Sequence, residues 1–319
     1  RACRELGIPT VAVYSQADAK SLHVRLATDA YCIGPAPSSQ SYLNIPAIIS
    51  TALMTGCDAI HPGYGFMSER ADFVDICSEH GIKFIGPSAD SMRKMGDKAT
   101  ARKTMIENNV PVTPGTSILE SLEQAREFAH KAGYPIILKA TAGGGGKGMR
   151  IVRSDDELET NMNLCQMEAE KFFGNPGIYA EKFLENPRHI EVQILGDSFG
   201  NVIHLGERDC SIQRRHQKLL EEAPSPAIDE ATRKEMGAAA VRAAKAIGYE
   251  GAGTCEFLLD HDGKWYFMEM NTRVQVEHCV TEMISQIDIV REQILVASGK
   301  KLGYTQEDVL LRGHAIECR

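Results

Sequence analysis

Tyr134-Pro135-Ile136-Ile137-Leu138-Lys139-Ala140-Thr141-Ala142-Gly143-Gly144-Gly145-Gly146-Lys147-Gly148-Met149-Arg150-Ile151-Val152-Arg153 reads as an apolar run, a glycine cluster and a second, alternating run. The first run predicts a short strand that ends in a lysine. The four consecutive glycines let backbone N–H groups approach an anion with no side chain in the way, and Lys147 adds positive charge. This is not a Walker loop, because Gly148 stands where Ser or Thr should follow the lysine. The loop satisfies G-x-G-x-x-G at Gly143, Gly145 and Gly148, but a dinucleotide fold requires a helix next. Residues 149–153 alternate like a strand instead. Strand, glycine loop, strand predicts a flap over phosphates and excludes a Rossmann dehydrogenase. A plain surface hairpin is the alternative.

Further along, Glu269, Asn271, Arg273, Gln275 and Glu277 occupy alternate positions. An extended strand would place all five on one face, with Met270, Thr272, Val274 and Val276 behind them. A flat strand of that length strains to bring both its ends to one substrate. Two strand-like runs, 254–259 and 265–269, flank Asp262-Gly263, a signal for a two-residue hairpin turn. That turn sets Glu256 directly opposite Glu269. Facing carboxylates repel, so the pair suits a divalent cation with Asn271 adding a third oxygen. A carboxyl pair without metal, or a three-residue loop that separates the two, is the alternative.

Outward from these segments, strands at 8–13, 59–60 and 83–85 alternate with helical patterns at 45–55 and 71–80, which predicts a parallel α/β region over residues 1–96. Residues 97–109 read as a helix entering a second region, and the proline-rich 110–115 marks a boundary. A lid is expected over about 115–185, and the remainder carries an antiparallel sheet. The 319 residues suffice for two domains, and 43% hydrophobic with 24% charged content is that of a globular chain. The net charge of −8 argues against nucleic acid. No apolar run reaches membrane-spanning length. Nine scattered cysteines show neither C-x-x-C nor zinc spacing, and read as reduced thiols of a cytoplasmic or plastid protein.

The segments SYLNIPAIIS, IHPGYGF, FIGPS, MGDK, KATAGGGGKGMR, ENPRHIE, GERDCSIQRRHQK, EEAPSP, EMNTRVQVEH, VTEMI and GHAIECR, in this order and spacing, resemble the biotin carboxylases of the ATP-grasp superfamily. The likeness is strongest to the biotin carboxylase subunit of acetyl-CoA carboxylase. The resemblance implies an N-terminal α/β domain at 1–96 lacking its first strand and an ATP-grasp domain at 97–319. It also implies that the C-terminal domain is largely absent, so that the sequence is a partial chain. Lys98 and Lys139 would contact ATP phosphates, with Gly144, Gly145 and Gly146 closing over them. Glu181, Lys182 and the backbone near Leu184 would hold adenine, while His189, Gln213 and His216 line the nucleotide site. Glu256, Glu269 and Asn271 would bind two Mg²⁺ or Mn²⁺ ions. Lys218, Arg273, Gln275 and Val276 would hold bicarbonate, Glu277 would be the general base, and Arg319 would face bicarbonate and the biotin enolate.

The reaction so implied is ATP-dependent carboxylation of biotin on a biotin carboxyl carrier protein, through carboxyphosphate, as the first half-reaction of acetyl-CoA carboxylase in fatty acid synthesis. The carbon–nitrogen bond made classes it as a ligase. Carboxyltransferase subunits and a second copy in a homodimer are the expected partners. Modules of pyruvate, propionyl-CoA or methylcrotonyl-CoA carboxylase are similar, and a carbamoyl-phosphate-type ligase shares the nucleotide groups. Residues 61–65 read as a tight turn rather than a metal motif, and Arg214-Arg215-His216-Gln217-Lys218 has acidic neighbours on both sides. The chain departs from the family at Met67, Arg70 and Cys279. Cys279 replaces a proline and loosens the segment behind Glu277.

Overall fold

The computed structural model describes residues 1–141, 148–215 and 217–319. The chain forms two compact units, one of Arg1–Pro111, Arg188–Leu258 and Phe267–Arg319, the other of Val112–Pro187 and Leu259–Tyr266. Among the described residues no helix is long and apolar enough to cross a membrane.

The first unit begins with α1 (Ala2–Glu5), β1 (Val11–Ser15), α2 (Leu22–Leu26), β2 (Asp29–Gly34), α3 (Ile45–Met54), β3 (Ala59–Ile60), α4 (Ala71–Glu79), β4 (Lys83–Phe84), α5 (Ala89–Gly96) and α6 (Lys98–Glu107). β1–β2 and β3–β4 are both parallel pairs, as alternating strands and helices predict. β1 starts three residues later than expected. Pro9 has no N–H to donate to a ladder, and the Thr10 N–H donates to the Thr28 hydroxyl instead. The buried face of α4 carries Phe73 and Cys77, one turn apart, against Ile48, Ile49, Ile82 and Phe84. Phe73 meets Phe84 edge-on with centroids 6.1 Å apart, and burial of such a side chain contributes about 1.5–3 kcal/mol. Asp97 closes α5 and caps α6 by accepting the Thr100 N–H at 2.7 Å.

The second unit contains α7 (Leu122–Ala132), β5 (Ile136–Ala140), β6 (Met149–Val152), α8 (Asp155–Phe173) and β7 (Ile178–Lys182). Its sheet runs β6-β5-β7 with every neighbour antiparallel. Ile136 pairs with Val152 and Lys139 with Met149. Strand therefore returns to strand across the glycine loop, and the helix comes only afterwards. Alternation along β5 buries Ile136, Leu138 and Ala140 with Leu158, Met162 and Cys165 of α8. Ile137 and Lys139 face the other way. Gly144, Gly145 and Gly146, read as the phosphate flap, lie outside the described residues.

The first unit resumes with β8 (Arg188–Gly196), β9 (Val202–Arg214), β10 (Gln217–Ala223), α9 (Glu230–Ala246), β11 (Gly251–Leu259), β12 (Trp265–Asn271), α10 (His278–Ser285), α11 (Ile289–Ala297) and β13 (Ala315–Cys318). These strands make a six-stranded sheet in the order β12-β11-β8-β9-β10-β13. β8 is buried from Ile190 onward, so neither of its faces is left to solvent.

Two expectations are corrected. The β11–β12 turn has three residues, His261, Asp262 and Gly263, between Asp260 and Lys264, whose backbone bond is 2.7 Å. Gly263 supplies the positive φ (+80°) that the third position of such a turn needs. At the turn, Asp260 therefore pairs with Lys264, one residue off the pairing that a two-residue turn would set. Second, the row from Glu269 to Glu277 is not one strand. β12 ends at Asn271, the chain bends, and α10 starts at His278 with Glu277 at its N-cap.

Candidate active site

One side of the six-stranded sheet gathers charged side chains from four adjacent strands. β8 alternates His189, Glu191 and Gln193. Arg208 of β9 stands directly across the ladder from Glu191, Lys218 comes from β10, and Thr254 and Glu256 lie two apart on β11. Segment 271–277 returns against this row because β12 ends early, and so delivers Asn271, Gln275 and Glu277 to it. The bend that replaces the flat strand is what brings Asn271, Gln275 and Glu277 to one place.

Three carboxylates in this cluster are almost fully buried: Glu191 (0% exposed), Glu256 (3%) and Glu277 (3%). Lys218 joins all three. Its ammonium lies 2.6 Å from Glu277 Oε1 and 3.2 Å from Glu256 Oε1, and it also hydrogen-bonds Glu191. Burial works to deprotonate Lys218, but the three negative charges outweigh it and raise its pKa above the usual lysine range. Burial likewise works to lower the pKa of His189. Hydrogen bonds to Glu191 at 3.1 Å and Glu256 at 3.0 Å prevail and lift it to about 9, so its imidazole is charged at neutral pH. Glu277 is pushed up by burial and by Glu191, yet Arg208 and Lys218 hold it below the ordinary glutamate range. Its place at the N-terminus of α10 favours the same ionised form. Arg319 donates to Glu277 Oε2 at 3.0 Å and lies 3.4 Å from the buried Glu221.

Arg273 is aimed by three acceptors. Its Nε donates to Glu69 at 2.9 Å, one terminal nitrogen to Asn271 Oδ1 at 2.9 Å, and the other to the Val274 carbonyl at 3.3 Å. Glu69 also accepts the Thr272 N–H at 3.1 Å and so holds the bend itself. Gln275 donates its amide to Glu256 at 2.9 Å. The carbonyl of the half-buried Val276 lies 3.1 Å from the His278 ring.

Of the residues expected to hold metal, Asn271 and Glu256 meet, the Asn271 amide donating at 2.7 Å. Glu269 is an exposed residue of β12, followed by the buried Met270 and Asn271 that end the strand. Desolvation and the Glu256 charge raise its carboxyl above the ordinary range, while Lys98 at the start of α6 counters them. Two carboxylates and an amide oxygen are the hard donors that Mg²⁺ or Mn²⁺ takes, and the Glu256–Glu269 repulsion is what such a cation would relieve. His189, expected in the nucleotide site, is tied into the buried carboxylate cluster. Gln213 donates to the Cys210 carbonyl at 2.8 Å. His216 lies outside the described residues.

In the second unit Lys139 and Glu181 form an ion pair across β5 and β7. The Lys182 ammonium donates to the carbonyls of Gly133 (3.0 Å) and Tyr134 (3.1 Å), which turns its head toward the backbone. Leu184 is buried just beyond β7.

The sequence reading gave no role to Glu191, Arg208, Gln193 or Thr254. The signal was present in ENPRHIEVQ, where His189, Glu191 and Gln193 alternate as polar groups within an apolar strand. Chemically, the site offers Lys218 and Arg319 as cations on an ionised, nearly dry carboxylate, and Arg273 as a further cation held against Asn271. That arrangement can hold an oxyanion and accept its proton.

Comparison with known proteins adds independent findings. The family described as biotin carboxylase, N-terminal domain, matches residues 1–92, and the carbamoyl-phosphate synthase L chain, ATP binding domain, matches 97–305. Biotin carboxylase 1 of Bacillus subtilis is 59% identical over the whole chain, which spans 71% of that protein. The chloroplastic biotin carboxylase of Arabidopsis thaliana is 60% identical over the whole chain, which spans 60% of it. Among solved structures, a Campylobacter jejuni biotin carboxylase–β,γ-ATP complex has 55% identity and a TM-score of 0.90, with all of this chain and 72% of that one covered. The biotin carboxylase domain dimer of Hydrogenobacter thermophilus 2-oxoglutarate carboxylase, with MgADP, ADP and bicarbonate, has 52% identity and a TM-score of 0.87, with all of this chain and 70% of that one covered.

Proposed function

The chain belongs to the biotin carboxylase family, and from that premise we propose that it carries out ATP-dependent carboxylation of biotin with bicarbonate. The observation that carries this reading is Glu277, a buried, ionised carboxylate bracketed by Lys218 and Arg319.

Bicarbonate would lie against Lys218, Arg273 and Gln275, with the Val276 backbone beside it. Glu277 takes its hydroxyl proton, the freed oxygen attacks the γ-phosphorus of ATP, and ADP leaves. Lys98 and Lys139 offset charge on the transferred phosphoryl group, where catalysis is mostly positioning and electrostatics. Mg²⁺ or Mn²⁺, held by Glu256, Glu269 and Asn271, would neutralise phosphate charge. Carboxyphosphate then breaks to carbon dioxide and phosphate. The phosphate removes the ureido proton of biotin, and Arg319 stabilises the enolate that attacks carbon dioxide. Glu181, Lys182 and Leu184 would hold adenine. Because the Lys182 head is engaged by carbonyls, that residue would act through its backbone.

We propose two domains, residues 1–96 and 97–319, with a lid at about 115–185. The separate family matches at 1–92 and 97–305 and the compact unit Val112–Pro187 support this division. The carrier-borne biotin, carboxyltransferase subunits, a homodimer and the acetyl-CoA carboxylase role are proposals of the same standing. So is a setting in bacterial-type cytoplasm or plastid stroma, supported by nine cysteines that are all free.

ADP release measured with Mg²⁺, bicarbonate and free biotin tests the reaction. Release that rises with both bicarbonate and biotin supports it. Dependence on bicarbonate without biotin favours a carbamoyl-phosphate-type ligase, the reading suggested by the match at 97–305. Release indifferent to both sinks it.

A further inference from the structure

We propose that Arg208 is a positioning residue that fixes the orientation of the Gln275 amide, and through it the donor edge that meets bicarbonate. The inference rests on the reading of Gln275 as a bicarbonate contact.

Arg208 is a large, fully buried side chain, 0% exposed, in the middle of the sheet. All five of its N–H groups are used. Nε donates to Glu191 Oε2 at 2.8 Å, one terminal nitrogen to Gln193 Oε1 (2.8 Å) and Thr281 Oγ1 (3.2 Å), and the other to Thr254 Oγ1 (3.0 Å) and Gln275 Oε1 (2.6 Å). The guanidinium thus ties β8, β11, the bend after β12 and α10 to one planar fork. A lysine has a single donating centre and cannot reach five acceptors spread in a plane.

The bond to Gln275 decides chemistry as well as packing. An amide can present either its oxygen or its NH₂ to a neighbour. Arg208 has only donors, so it claims the Gln275 oxygen. A flipped amide would set NH₂ against the guanidinium in a dry site, with both donors unpaired. The NH₂ is therefore left facing the cluster, where it donates to Glu256 at 2.9 Å. An oxyanion needs donors, and this orientation supplies one. Arg208 also neutralises Glu191, which otherwise would draw Lys218 toward itself and away from Glu277. Gln193 is locked in turn by donating to the Gly253 carbonyl at 2.9 Å, so the fork has a fixed seat.

The test is a double-mutant cycle on bicarbonate KM in the full chain, with ATP KM measured alongside. Arg208→Lys is expected to raise bicarbonate KM by about tenfold while ATP KM shifts by less than about twofold, and in a Gln275→Ala background it should add almost nothing to bicarbonate KM. Equal increases in both backgrounds, or a parallel rise in ATP KM, would show a general structural role and overturn the proposal. If Arg208→Lys fails to fold, Thr254→Val carries the test, because it keeps the guanidinium and removes one of its seats. It should raise bicarbonate KM about threefold, and only when Gln275 is present; an unchanged KM with Gln275 present overturns the proposal. A wild-type protein whose ADP release ignores bicarbonate would instead sink the functional reading, and this inference with it.

Discussion

The ammonium of Lys218 lies 2.6 Å from Glu277 Oε1, and Arg319 holds the other carboxylate oxygen at 3.0 Å. Both oxygens of the proposed base are therefore engaged by cations that would also grip an incoming anion. Glu277→Gln keeps the shape and removes the base. It should cut bicarbonate-dependent turnover by about a hundredfold or more, with ATP affinity retained. Titration with a fluorescent ATP analogue checks the second half, and lost ATP binding would assign Glu277 a structural role.

Glu69 reaches Arg273 from the loop before α4 and also caps the Thr272 N–H at the bend. Glu69→Ala frees the fork of Arg273 to rotate. The pair is partly exposed, so the expected rise in bicarbonate KM is about three- to tenfold rather than a complete loss. Steady-state kinetics with varied bicarbonate measure it, and an unchanged KM would show that Arg273 needs no such support.

Glu256 accepts hydrogen bonds from Asn271 and Gln275 and lies against Lys218 and His189, so its charge is central to the cluster. Glu256→Gln should raise the Mg²⁺ concentration for half-maximal activity by about tenfold or more, as loss of a carboxylate ligand from a hard-cation site does. Glu269→Gln should act in the same direction. Activity titrated against free Mg²⁺ checks both, and an unaltered metal requirement would count against the site.

His204, on β9, is wedged under α9 where a Cβ added to Gly237 would fall 2.4 Å from its Nε2. Its Nδ1 accepts the Gly206 N–H at 3.3 Å, which requires the neutral ring. Burial lowers its pKa below 6.5, against a smaller opposing effect of Glu207. Above the unfolded value both states are neutral and stability is full. As pH falls below it, the unfolded chain takes up a proton that the folded chain refuses, and stability is lost until the folded pKa is passed. The Tm deficit of His204→Asn relative to wild type should therefore shrink between about pH 7 and pH 5.5. A constant deficit would contradict the neutral, buried ring.

Much of this was legible in the sequence because local chemistry decided it. Residues 149–153 alternate and carry no helix signal, and β6 is the result. Of the polar row at 269–277, Asn271, Gln275 and Glu277 do enter one cluster, but not as one face of a single strand. Whether the chain stays extended past Asn271 depends on Glu69, some two hundred residues earlier, which binds the backbone at Thr272. No local pattern carries that information. The turn after β11 was misread for a different reason: Asp-Gly also fits the last two positions of a three-residue turn, and Gly263 takes its positive φ in either. Glu191 sits in a mainly apolar strand and Arg208 between Glu207 and Asp209, and neither resembles a site until the ladder sets them opposite one another.

The central claim is that this chain moves carbon from bicarbonate to biotin at the expense of ATP. The most direct measurement incubates the full chain with carbon-labelled bicarbonate, ATP, Mg²⁺ and free biotin, and follows label in biotin. The account predicts labelled carboxybiotin that requires ATP and disappears in Glu277→Gln. ATP hydrolysis that proceeds with no label in biotin would contradict it.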